Sequence, residues 1–412
     1  MPAGPEVEVP DDPQAILRSL YTEAARRNPH AFHDRLRELA PVYRDQDSGL
    51  WFLSNWEDCN RVLRSDRFGQ DGRMKQDPRY ATSSSLQLLG ENLTGMDPPE
   101  HTRLRIMAMK GLSRAGVERI RSYLNDLTAS MLDGLADKDE FDLVSEYATL
   151  IPGTVICELL GVPREDHGRF DRWIADQFRI ISPLPASDEL LAETDRNVDA
   201  LLEYLGEIIE QRRRSPRDDL ISAFVATDVA GGEPMTAREA VLMANVLLGG
   251  GSDTTKSVIS FGTQALLENP DQLAIFLENP SAQSTGLEEL IRVAGPVLIA
   301  NPRKSYDEVD IGGVRVGQGE IVACVLVSAN YDPGVFRDPH RLDVTRSPNP
   351  HLAFGHGSHI CVGNMLARMV GGHAISALVR RFPDLAVVEG SFEPRLDLFA
   401  LRGVKSLRVR RR

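Results

Sequence analysis

Apolar residues recur every three or four positions over most of the chain, the spacing that gives a helix one buried face. That spacing predicts helices within 15–40, broken at Pro29 and Pro41, and over Trp56 to Arg64 with Ser54 or Asn55 as cap. It returns over 114–136, 143–161, 165–180 and 187–214, with an apolar break at Ile181-Ser182-Pro183-Leu184-Pro185. Residues 236–268 carry the longest helical pattern, opened by Thr236, and 283–294 carry another. A further helix is expected to start sharply at Asp97-Pro98-Pro99-Glu100, with Asp97 as N-cap, Pro98 in the first turn and Glu100 completing a capping box.

Alternation of period two is confined to short runs. Val42-Tyr43 and Leu50 to Leu53 read as a hairpin turning at Ser48-Gly49, and 303–316 and 321–327 read as late strands. Residues 66–95 lose periodicity and are expected to form a long loop, and 330–360 are irregular and proline-rich. A last helix runs to about Arg381 before short closing strands. The sum is an α+β fold, predominantly α-helical, with a small β region. No linker composition or repeat divides residues 1–412, so a single domain is expected.

Charge narrows the partners. The 412 residues carry a net charge of −13, from 47 basic and 60 acidic side chains, which argues against nucleic acid. The Arg410-Arg411-Arg412 end reads as a solvated tail. Cys59, Cys157, Cys324 and Cys361 form no C-x-x-C pair, so neither a disulfide framework nor a zinc site is expected. The start, Met1 to Gln14, is acidic and proline-rich with no signal-peptide core. The longest apolar run, Ile321 to Ala329, is too short for a membrane span. A cytoplasmic protein without a membrane anchor is expected.

Candidate chemistry starts at Phe354-Gly355-His356-Gly357-Ser358-His359-Ile360-Cys361-Val362-Gly363, followed by an apolar helical pattern at Met365, Leu366, Met369 and Val370. Cys361 would sit at the mouth of that helix, where free N–H groups favour a thiolate. The glycines let the loop lie against something large and flat. A cysteinate facing a flat partner suggests haem iron. Phe354, Gly357, a cationic His359, Cys361 and Gly363 fit F-x-x-G-x-H/R-x-C-x-G. The stretch resembles the haem-binding loop of the cytochrome P-450 family, in its bacterial, soluble, ferredoxin-dependent form. The resemblance implies that Cys361 is the proximal ligand of haem b (iron protoporphyrin IX).

The longest helix holds a second signal, Gly249-Gly250-Gly251-Ser252-Asp253-Thr254-Thr255. Three mid-helix glycines cost about 3 kcal/mol relative to alanine. They fit either close helix packing or a flat cofactor and a small gas lying against the backbone. Thr254 can bond back to a carbonyl one turn earlier and open the helix. The stretch resembles the family's distal-helix motif, with Gly250, Gly251, Asp253 and Thr254 in register. The resemblance implies that Gly250 borders haem, Thr254 orders water at the oxygen site and Asp253 relays protons to it.

Other positions follow from the same resemblance. Glu289 and Arg292 match the family's E-x-x-R, with Arg341, in Phe336-Arg337-Asp338-Pro339-His340-Arg341-Leu342, as third partner. His101 and Arg105 after Asp97-Pro98-Pro99-Glu100, together with Arg303 and His359, match the donors for the haem propionates. Tyr331 stands where bacterial relatives often carry arginine, which bears on a surface contact. Pocket walls are expected from 66–95, 178–185, Met243 to Leu247, Pro296 to Ile299 and Leu398 to Leu401, mostly aliphatic, with Gln87 and Arg179 as polar anchors.

The activity implied is insertion of one atom of O2 into a hydrophobic small molecule such as a polyketide or terpenoid. Electrons would come from NAD(P)H through a ferredoxin reductase and a ferredoxin docking on Arg103, Lys110, Arg114 and Arg368 of a monomer. Rival readings are a peroxygenase driven by peroxide alone and a non-enzymatic haem-binding carrier or gas sensor. The Asp253-Thr254 pair speaks against the first, and no appended signalling segment supports the second.

Overall fold

The longest helical pattern becomes the longest helix, Ala237–Glu268, and the rest of the fold is arranged around it. In the computed structural model, residues 8–70, 72–174, 177–181, 186–226 and 233–412 are described. Thr236 caps this helix through a full capping box with Glu239. The helix is apolar around most of its circumference because it is packed on several sides. Helices Leu150–Leu160, Asp188–Arg214, Pro280–Ala294 and Asn364–Arg381 all lie against it.

Trp56–Arg64 forms as expected, with Asn55 rather than Ser54 accepting from the Asp58 N–H. The 114–136 pattern splits into Arg114–Arg119 and Arg121–Gly134. The 143–161 pattern opens on a π-helical turn, Val144–Ala148, before Leu150–Leu160. The 165–180 pattern shortens to a helix over His167–Ile174. Of the break expected at 181–185, residues 182–185 lie outside the described residues.

Two expectations are corrected. Residues 66–95 are not one long loop. They contain the strand Phe68–Gln70 and the helix Ser84–Glu91. The strand is too short to show alternation and is buried along its length. The helix is fixed by a distant carboxylate, Asp195, which accepts from the hydroxyl of Ser83 at 2.8 Å and the N–H of Ser85 at 2.9 Å. The helix expected at Asp97 starts instead at Glu100, with Pro99 as cap and no capping hydrogen bond. The Asp97 carboxylate is turned to the sheet, where it accepts from Gln70 N at 3.1 Å and Tyr306 Oη at 2.8 Å.

A five-stranded sheet positions the site. Its order is Val42–Arg44, Trp51–Leu53, Ile321–Cys324, Arg303–Ser305, Phe68–Gln70. The expected hairpin supplies the first two strands, pairing Val42 with Leu53. Antiparallel pairing sets Gln70 directly opposite Arg303. Smaller sheets join Glu140–Asp142, Arg408–Arg411 and Leu385–Val387, and pair Glu393–Pro394 with Val404–Ser406. The Arg410-Arg411-Arg412 end is thus partly a strand rather than a free tail: Arg410 pairs with Glu140 and Ala386.

Two imidazoles of helix Pro29–Leu39, His30 and His33, are buried, the first with its ring 3.9 Å from that of Tyr331. Burial drives His33 down to about 3 against the opposing pull of Asp34, and drives His30 well below its ordinary value. Between about pH 6.5 and 3 the unfolded chain therefore binds protons that the folded chain does not. Stability is expected to fall as pH drops through that window, by roughly 1 kcal/mol per pH unit for each such imidazole. Melting temperatures between pH 7 and 5 test this. His33→Gln should flatten the slope, and an unchanged slope would refute the assignment.

Candidate active site

The cysteine loop is shaped by backbone that side chains would obstruct. Gly355 and Gly357 take left-handed conformations, with φ of +69° and +73°. At 357 a side chain would also strike the Leu63 carbonyl, so glycine lets the loop lie against helix Trp56–Arg64. The Cys361 N–H donates to Phe354 O at 2.8 Å, and Arg105 Nη2 donates to Ile360 O at 2.5 Å. Asn364 Nδ2 donates to Cys361 O at 2.7 Å.

Cys361 lies two residues ahead of Gly363, the N-cap of helix Asn364–Arg381, so it sits before the helix mouth rather than in its first turn. Burial raises its thiol pKa, opposed by the Gly363 N–H and by the charges of Arg105 and Arg368. The expected thiolate preference is thus outweighed by desolvation. A metal cation at the sulfur is what would restore it.

A cavity of about 310 Å³ opens above the sulfur. Cys361, Val362, Gly363 and Phe354 border it on one side, and Gly250, Gly251, Thr254 and Thr255 border it from the long helix. The glycine run divides its labour. A side chain at 250 would meet nothing within 4 Å, so this glycine faces open space. One at 251 would run into Ile156 Cδ1, so that glycine serves close packing on helix Leu150–Leu160.

His101, Arg105, Arg303 and His359 all border the same cavity. The rings of His101 and His359 lie 3.9 Å apart, and both nitrogens of His101 are buried without a hydrogen-bond partner. Burial lowers His359 to about 3, helped by the charges of Arg303, His101 and Arg105. Two guanidiniums and two imidazoles gathered at one edge of the cavity fit a dianionic group, and haem, with its two propionates, is such a group.

Opposite the sulfur, Thr254 Oγ1 donates to Gly250 O at 2.6 Å, one turn back. Asp253 is not brought into this cavity. It borders a small crevice together with Thr254, Pro296 and Leu401, which also border the cavity; there Lys256 Nζ donates to it and Arg395 Nη1 stands 3.6 Å away. Arg395 in turn is held by Asp397, at 3.0 and 2.7 Å.

Glu289 is fully buried and is the hub of the segment that carries the cysteine loop. Arg292 donates to both its oxygens at 2.8 Å. The expected third partner, Arg341, is corrected to Arg346, whose Nε donates at 3.1 and 3.0 Å. Arg341 is exposed; its carbonyl accepts from Arg346 Nη2 at 3.1 Å and its N–H donates to Asp338 O at 3.0 Å. A turn at Asp343, with Arg346 N donating to Asp343 O at 3.0 Å, points 346 inward.

Comparison with known proteins agrees with this geometry. The family model described as Cytochrome P450 matches residues 24–275 and 285–402. The chain belongs to the cytochrome P450 family. It is 35% identical over 401 residues to Cytochrome P450 107B1 of Saccharopolyspora erythraea, covering 95% of this chain and 96% of that protein. It is 30% identical to the polyketide biosynthesis cytochrome P450 PksS of Bacillus subtilis, covering 93% and 95%. The crystal structure of P450BioI with an acyl carrier protein carrying hexadec-9Z-enoic acid superposes with a TM-score of 0.87 at 30% identity, covering 94% of this chain and 99% of that one. This P450 is thus a haem-thiolate monooxygenase that uses O2 and receives electrons from redox partners. Among the described residues no helix is long and apolar enough to cross a membrane.

Several residues of this P450 site escaped the sequence reading. Gln70 sits beside the basic rim. With its amide oxygen turned toward Arg303 and His359 it accepts from both, and its N–H donates to Thr94 O at 2.9 Å. Its only signal is register: it pairs with Arg303 across the sheet. Glu288 ties the cysteine helix to helix Pro280–Ala294. Burial pushes its carboxyl up, but hydrogen bonds from His351 and Arg368 prevail and hold it at about 2. It stands next to Glu289, so the doubled acid was a visible cue.

Three expectations for surface and pocket residues change. Tyr331 is buried, not a surface residue. Its hydroxyl donates to Val293 O at 3.2 Å, and Arg292 lies over its ring at 5.0 Å. Gln87 donates to the carbonyls of Tyr80 and Ala81 and borders neither large cavity, while Arg179 faces Asp397 at 3.5 Å. Of the expected cationic dock, Arg368 is engaged by Glu288 and Arg103 by Glu239, and the side chain of Arg114 lies outside the described residues.

Proposed function

We propose that the whole chain, 1–412, works as one haem-thiolate domain that hydroxylates or epoxidises a mid-sized hydrophobic metabolite of polyketide or terpenoid type. The observation that carries this reading is the cavity itself: Cys361 borders it from the cysteine loop, Thr254 from the long helix, which stays unbroken there, and His101, Arg105, Arg303 and His359 border it as well. Cys361 would ligate the iron, and His101, Arg105, Arg303 and His359 would hold the propionates. Phe354 and Gly250 border the same cavity and would help to hold the group. Bound haem supplies the activation of O2, assisted by electron donation from the thiolate. Thr254 holds water with its hydroxyl, and Asp253 relays protons from solvent, with Lys256 and Arg395 controlling their release.

A second cavity, about 510 Å³, shares Thr94, Phe178, Ile181, Val246, Ile299 and Ala400 with the first. The shared walls are mostly apolar, as a hydrophobic substrate needs. The name of the B. subtilis relative, which places that protein in polyketide biosynthesis, supports the same substrate class. Mass spectrometry of products from candidate polyketides and terpenoids, with a surrogate reductase and ferredoxin, tests it. Loss of all turnover except with peroxide would favour the peroxygenase reading instead.

Thr254→Ala is expected to leave haem binding intact. Product formed per O2 consumed should fall on the order of tenfold or more. Electrons would come from NAD(P)H through a ferredoxin in the cytoplasm. Arg61 and Arg64, exposed on the helix beneath the cysteine loop and outside any ion pair among the described residues, replace Arg103 and Arg368 as the dock for that acidic partner. Turnover should drop steeply with rising salt, and Arg61→Glu with Arg64→Glu should raise the KM for ferredoxin. Salt-independent turnover would refute the dock.

A further inference from the structure

A pair of amides is set deep in the wall of the second cavity. Gln177 and Asn245 are 5% and 3% exposed, and both border it. Gln177 Nε2 donates to Asn245 Oδ1 at 3.0 Å and to Trp173 O at 3.3 Å, which uses both of its hydrogens. Gln177 Oε1 and Asn245 Nδ2 are left without a protein partner among the described residues, and neither is a sealed-off orphan. The Gln177 oxygen would lie 3.6 Å from a side-chain carbon placed at Gly249, one helical turn after Asn245. The couple therefore offers one acceptor and one donor to the cavity, which Phe178 and Val246 also border.

We propose that the Gln177–Asn245 couple determines specificity by holding a neutral hydroxyl of the substrate, which donates to Gln177 Oε1 and accepts from Asn245 Nδ2. This rests on the reading of the cavity as the substrate site. A hydroxyl satisfies both atoms, while a methyl satisfies neither. A carboxylate would face the Gln177 oxygen with no hydrogen to offer, so the couple selects against fatty acids at this point. Two cations, Lys75 and Arg79, also border the cavity, and Arg79 is already held by Asp77 and Asp188. The substrate class this favours is an already oxygenated apolar skeleton.

The test uses the holoenzyme and 1-alkylimidazoles of increasing chain length, ended by methyl, hydroxyl or carboxyl. Iron fixes the azole end, and the shift of the haem band reads affinity. At one chain length the hydroxyl end should bind roughly tenfold tighter than the methyl end. Asn245→Leu and Gln177→Met should each erase that ratio while leaving methyl-ended affinity unchanged or higher. Equal affinity of hydroxyl and methyl ends at every length in the wild-type enzyme would overturn the proposal without any variant. So would a ratio that persists in both variants, or a carboxyl end that binds tightest in the wild type. Absence of any azole shift would instead sink the haem reading on which the proposal stands.

Discussion

Cys361→Ser is expected to yield a folded protein that has lost the thiolate-type spectrum and nearly all turnover. The loop does not depend on the sulfur for its shape. Its fixed points are backbone bonds: Cys361 N to Phe354 O, Arg105 to Ile360 O and Asn364 to Cys361 O. Serine preserves each of them, so melting temperature of the apoprotein should change little. Haem should still bind, weakly, through the rim of His101, Arg105, Arg303 and His359. A serine hydroxyl is far less acidic than a thiol and donates less electron density to iron. Turnover should fall on the order of 10³-fold or more, equivalent to about 4 kcal/mol of barrier. The reduced carbon monoxide spectrum and product yield measure the two effects. A variant that kept the wild-type carbon monoxide band would remove Cys361 from the iron.

Much of this architecture could be read before any coordinates, for identifiable reasons. Thr236 with Glu239, and Asn55 with Asp58, are local signals, complete within one turn of helix. The glycine run and the cysteine loop are also local, since they constrain backbone against something flat. What failed depended on distant partners. Asp97 looked like a cap until Gln70 N and Tyr306 competed for it. The helix Ser84–Glu91 needs Asp195, which is more than a hundred residues away. Asp253 came from its register with Thr254 in the motif, but its partners Lys256 and Arg395 were not legible, the second because it is more than a hundred residues away. Tyr331 was tied to a surface contact because relatives often carry arginine there, yet its ring covers the buried Arg292.

The sharpest consequence of such a long-range correction concerns two arginines five residues apart. Arg346→Leu should destabilise the protein severely, and Arg341→Leu should not. Arg346 is 9% exposed at its side chain and gives its Nε to both oxygens of Glu289, which is 0% exposed. Its Nη1 donates to Arg337 O at 2.8 Å, so it also fixes the segment leading to the cysteine loop. Removing it leaves the Glu289 carboxylate with Arg292, Asn349 and the Asp343 N–H. Breaking a buried ion pair from one side costs about 3–5 kcal/mol, because the partner charge stays buried without full compensation. Arg341 is exposed, and its substitution should stay within about 0.5 kcal/mol. Glu289→Gln should resemble Arg346→Leu, since it strands two guanidiniums at once. Urea unfolding of the apoproteins and haem content after purification separate the cases. Loss of the cysteine loop's anchor should show as low haem occupancy in Arg346→Leu even under conditions where the chain remains folded. Equal stability and equal haem content in the two arginine variants would mean that the Glu289 hub does not hold the loop.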